Sequence, residues 1–113
     1  MVGDEVTELG YPGNLDNGQR MEMTSAQVVG GSSSTGMIGS AQSHGSSGGP
    51  WVQDFGVPAV GQVISSSGTN LVVGVTSYGP KVDQGQQYQG SSTLNNDYVS
   101  IMKTVCVAVA GNC

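Results

Sequence analysis

The feature that most restricts the fold is the spacing of turn residues. Pro12-Gly13-Asn14, Asp16-Asn17-Gly18, the stretches 30–36 and 39–49, and Gly68-Thr69-Asn70 cut the chain into short pieces, few longer than one strand. Between those breaks the pattern has period two. Over residues 19–29, Met21 and Met23 alternate with Arg20, Glu22 and Thr24, as a half-buried strand requires. Residues 6–11 read as a strand running into a turn, and residues 71–78 (LVVGVTSY) carry the strongest strand signal because they are rich in β-branched side chains. Further strands are expected from Pro50-Trp51-Val52 and, more weakly, over 86–94, with a strand or an insertion over 57–67 and Met37-Ile38 as a short apolar island. The stretch GGSSSTG, residues 30–36, reads as a surface loop. Only after Asn95-Asn96, which offers a helix cap, does the spacing become helical, with Tyr98, Ile101, Met102 and Val105 three and four apart. The expected fold is all-β: a single antiparallel barrel of about six strands closed by a C-terminal helix.

Composition removes several classes of function. At 113 residues there is room for one core. Eight carboxylates against Arg20, Lys81 and Lys103 give a net charge of -5, so no basic surface exists for a phosphate backbone and a nucleic-acid partner is not expected. No apolar run is long enough to span a bilayer, so no membrane partner is expected either. MVGDEVTELG lacks the basic and apolar regions of an export signal. Low charge with many Gly and Ser residues nevertheless suits a secreted protein whose leader lies upstream. Cys106 and Cys113 can close a small loop in an oxidising compartment, or remain free, or pair with another segment; without supporting histidines they do not form a zinc site, and no metal or cofactor is expected.

Residues 45–50 read Gly-Ser-Ser-Gly-Gly-Pro. A serine hydroxyl is a weak nucleophile, so a loop that uses one must project it into a cleft and aim backbone N–H groups at the oxygen that becomes negative during acyl transfer. Glycines permit such a bend. The hexapeptide resembles the G-x-S-G-G-P segment around the nucleophile of chymotrypsin-like, or trypsin-like, serine peptidases. The likeness extends to its flanks: GYPGNLDNGQRM upstream, then GPWV, VVGVTSYG and SSTLNNDYVSIM downstream, in family order and over nearly the whole chain to about Thr104. It is the C-terminal barrel of that family, of the bacterial or fungal type, that the chain resembles.

The resemblance implies a set of roles. Ser47 would be the nucleophile, the N–H groups of Gly45 and Ser47 the oxyanion hole, and Gly48 and Gly49 the residues that let the chain pass closely beneath. Ser77, Tyr78 and Gly79 match the strand whose main chain binds an extended peptide or protein substrate. Ala41, six residues before Ser47, falls where trypsin proper has an aspartate, so a preference for Arg or Lys is not supported. Gly90 matches the other pocket-wall glycine. His44 falls on the pocket rim rather than at the general-base site. Ser46 stands where digestive members carry the aspartate that captures a new N-terminus, so that activation switch is expected to be absent.

In this family the histidine and aspartate of the Ser-His-Asp triad precede the serine. His44 is the only histidine in the chain, and both partners would lie before Met1. The sequence therefore reads as a barrel whose N-terminal companion, supplying His and Asp, is absent, and the polypeptide alone is expected to be inactive. The other reading is a non-catalytic peptide-binding module that keeps the fold. A barrel built to pack against another is expected to leave an apolar face in water.

Overall fold

The structure is a computed structural model and describes residues 1–56, 70–80 and 87–111. Seven antiparallel strands form one sheet among these residues, in the order β2-β1-β5-β6-β7-β4-β3. They are β1 (Glu5–Gly10), β2 (Glu22–Gln27), β3 (Gly30–Gly31), β4 (Thr35–Gly39), β5 (Pro50–Gln53), β6 (Leu71–Tyr78) and β7 (Tyr88–Thr93), followed by α1 (Asn96–Ala108). A single 3-10 turn, Asp16–Gly18, joins β1 to β2.

The sheet curls because its two outer strands belong to one stretch of chain. Only Val28 and Val29 separate β2, which pairs with β1, from β3, which pairs with β4. Val29 N–H donates to the Met37 carbonyl at 2.9 Å, and Val28 N–H to the Asp4 carbonyl at 2.9 Å. Between β2 and β4 there is no ladder. They are linked by side chains, with Ser40 and Gln42 reaching Thr24. Where an antiparallel barrel of about six strands was expected, the described residues form a seven-stranded antiparallel half-barrel. GGSSSTG, expected to be a loop, supplies β3 and the start of β4, and it does so because β4 finds a partner in β7, from Thr35 opposite Ser92 to Gly39 opposite Tyr88. The strand or insertion expected over 57–67 lies outside the described residues.

Val6, Val28, Ile38 and Trp51 form the core, with Met1, Ala26 and Val73 packed against it. β2 forms where the alternation predicts it, with Glu22, Thr24 and Ala26 half-buried and Met21 and Met23 exposed. Asn95 caps α1, its side-chain oxygen accepting from the N–H groups of Asp97 and Tyr98. The helix forms as expected yet does not close the domain, because no residue in it is buried. Cys106 is disulfide-bonded; Cys113 lies outside the described residues.

Candidate active site

The loop between β4 and β5 is built from two tight turns in series. Ser46 N–H donates to the Ser43 carbonyl (3.3 Å) and Gly49 N–H to the Ser46 carbonyl (2.9 Å). The third residue of each turn has a positive φ, +99° at Gly45 and +82° at Gly48, the mark of a type II turn, which calls for glycine there. Gly45 has a second reason to be glycine, since a Cβ would lie 2.6 Å from the Tyr11 carbonyl oxygen. At Gly49 a Cβ would collide with the Leu9 carbonyl, so the loop does pass tightly over β1.

The two turns set consecutive serines in opposite directions. Ser46 is buried, its hydroxyl donating to Gln42 Oε1 at 3.0 Å, whereas Ser47 is exposed. Neither the Ser47 hydroxyl nor the N–H groups of Gly45 and Ser47 bond to any described residue. The segment 10–14 braces the loop from outside. Gly13 N–H donates to the His44 carbonyl (2.8 Å) and Asn14 Nδ2 to the Ala41 carbonyl (2.8 Å).

Ser47 stands between two depressions. A cleft of about 530 Å³ is lined by Ala41, His44, Ser47, Ser77, Tyr78 and Gly79, together with hydroxyls and amides such as Ser43 and Gln89. A shallower hollow of about 300 Å³ on the other side is lined by Gly45, Ser47, Tyr11 and Met21. Every residue that the sequence analysis assigned to nucleophile, rim or strand thus meets at one place. No carboxylate lines the cleft among the described residues, and Ala41, which does line it, is uncharged. His44 is exposed on the rim, its ring against Gly13, and makes no side-chain hydrogen bond to Ser47. Gly90 does not line the cleft. It sits buried opposite Tyr78, whose ring covers it and meets Tyr88 edge-on with centroids 6.4 Å apart.

The far wall is the end of β6. β5 pairs with β6 only as far as Val75, and Thr76 is held by the loop itself, donating to the Gly49 carbonyl and accepting from Gly48 N–H, both at 2.8 Å. On the β7 side the register slips between Thr76 and Tyr78, leaving Ser77 as a bulge. Beyond Thr76, then, no described strand covers the edge of β6 that faces the serine loop.

Glu8 is the site-proximal residue that the sequence analysis missed. It is 0% exposed, and both its oxygens accept hydrogen bonds, from Ser40 Oγ (2.6 Å) and Thr76 Oγ1 (3.0 Å). Burial pushes its carboxyl above the usual range, an effect that the two hydroxyl donors partly offset. Its period-two phase with the core residue Val6 was the available signal.

A curled, seven-stranded antiparallel half-barrel followed by one C-terminal helix resembles a chymotrypsin-like barrel in fold. One solved structure to which the chain is similar is the thermostable serine protease AL20 from an extremophilic microorganism, with a TM-score of 0.65 and 22% identity. The match covers 88% of this chain and 42% of that protein, so the chain spans less than half of its length. No family model and no curated protein matches the chain.

Proposed function

We propose that the chain supplies the nucleophile half of a serine endopeptidase site. Ser47 Oγ attacks a peptide carbonyl carbon while the N–H groups of Gly45 and Ser47 hold the developing oxyanion. The proton of Ser47 passes to a histidine and from it to the leaving amine, and water then clears the acyl-enzyme. One observation carries this reading: an exposed hydroxyl and two unbonded amides share one tight loop beside an uncovered strand edge. Each oxyanion donor typically lowers the barrier by about 3–4 kcal/mol. The edge at Ser77, Tyr78 and Gly79 suits an extended peptide added as a further strand, and the uncharged Ala41 does not favour a basic side chain.

The histidine comes from a second barrel that also brings the aspartate, because His44 is the only histidine here and does not bond Ser47. The exposed apolar positions of α1 and β2 give such a companion a surface to cover. The disulfide at Cys106 fits an oxidising, extracellular location. That no described histidine bonds Ser47 also favours a second reading, a peptide-binding module that uses the strand edge without chemistry.

A fluorophosphonate probe separates the two. Applied to the longest product of the reading frame that contains Met1, it should label Ser47, and Ser47→Ala should remove the label. The 113-residue chain alone should react on the order of a million-fold more slowly, the cost of a missing triad histidine. Failure of the longest product to label would assign the chain to peptide binding.

A further inference from the structure

Beneath the cleft lies a carboxyl that the reaction above does not use. Glu8 occupies the middle of β1, opposite Thr24 on β2 and Trp51 on β5. On one side its Oε1 accepts from Thr76 Oγ1, which in turn accepts from Trp51 Nε1 at 3.0 Å. On the other its Oε2 accepts from Ser40 Oγ, which receives the Gln42 N–H at 3.2 Å; Gln42 Oε1 then receives the Ser46 hydroxyl. Glu8, Ser40, Gln42, Ser46 and Thr76 are all buried.

The sequence neighbours of this chain of bonds are the candidate site. Ser40 precedes Ala41, Ser46 precedes Ser47, and Thr76 precedes Ser77. The two walls touch directly through the paired bonds of Thr76 with Gly48 and Gly49, and Glu8 joins them a second time from below. No described cation forms an ion pair with it. A fully bonded buried network of this kind fixes one arrangement of the elements it joins.

We infer that Glu8 is a positioning residue, its carboxyl tying the serine loop to the end of β6 and so setting the spacing between Ser47 and the strand edge at Ser77. Its catalytic meaning rests on the reading of Ser47 as a nucleophile, but the tie can be tested without activity. Native-state hydrogen exchange of the 113-residue chain reads it through the Gly48 and Thr76 amides, with the Val29 and Leu94 amides, bonded to Met37 and Val73, as references away from the tie.

Glu8→Leu should speed exchange at Gly48 and Thr76 by roughly tenfold or more, the value of one or two lost links, with the references unchanged. Glu8→Gln, which keeps the shape and a carbonyl acceptor, should restore most of the protection. If Glu8→Leu does not fold, Thr76→Val severs the β6 side alone and should give the same local pattern. An equal rise at all four amides, or no rise at Gly48 and Thr76, overturns the inference. A local rise in a chain whose longest product resists the phosphonate would leave the tie standing and remove the peptidase reading instead.

Discussion

The floor of the cleft and the outer face of α1 both depart from the rule that apolar side chains go inside and polar ones face water, and they depart in opposite directions. Under the cleft, Glu8, Ser40, Gln42, Ser46 and Thr76 are buried with their polar atoms bonded. Along α1, Tyr98, Val99, Ile101 and Val105 lie in water, Ile101 62% exposed. Burying polar groups is tolerable only when each is satisfied, and exposing an apolar row marks a surface that another surface covers. The first region therefore belongs to the chain's own stability, and the second is the surface that the proposed companion barrel would cover.

Three measurements sharpen or break that contrast. The largest effect is expected from Trp51→Ala, since Trp51 both fills the core and donates to Thr76. It should cost about 3–5 kcal/mol of unfolding free energy, read from urea denaturation. Glu8 gives the next. The folded chain holds its proton more tightly than the unfolded chain, where the carboxyl has its ordinary value of 4.5. The resulting stability is complete below that pH and is lost as the pH rises through the raised folded value. The difference in unfolding free energy between wild type and Glu8→Gln should fall with rising pH over that window, by no more than about 1.4 kcal/mol per pH unit; a flat difference would mean that Glu8 titrates normally. The smallest effect is expected from Ile101→Ser with Val105→Ser, within about 0.5 kcal/mol of wild type, while sedimentation shows less self-association. A large loss of stability there would mean that the face of α1 is already covered.

What could be read from the sequence follows how local each signal is. The serine loop was legible because its glycines, its serine and its proline are consecutive, and Ser77 to Gly79 because they end the β-branched strand β6. The cap at Asn95 was legible for the same reason. The β3–β4 hairpin was not, since Gly- and Ser-rich chain takes strand form there only by pairing with β7. The inward face of β2 could not be assigned from the alternation, because methionines ordinarily go inside, whereas here Thr24 turns inward to meet Ser40 and Gln42. Glu8 was missed because its partners come from Ser40 and Thr76, which no local pattern links to it.

The placement of both sheet margins on the single stretch from Glu22 to Gly31 bears on how the molecule assembles. That stretch cannot be finished until β1 and β4 are both in place, and β4 waits in turn for β7, more than fifty residues further along. Such distant pairings cost chain entropy before they return any contact, which slows the search for the native arrangement. A partly folded chain in which β4 lacks β7 exposes an unpaired strand edge of the kind that favours aggregation.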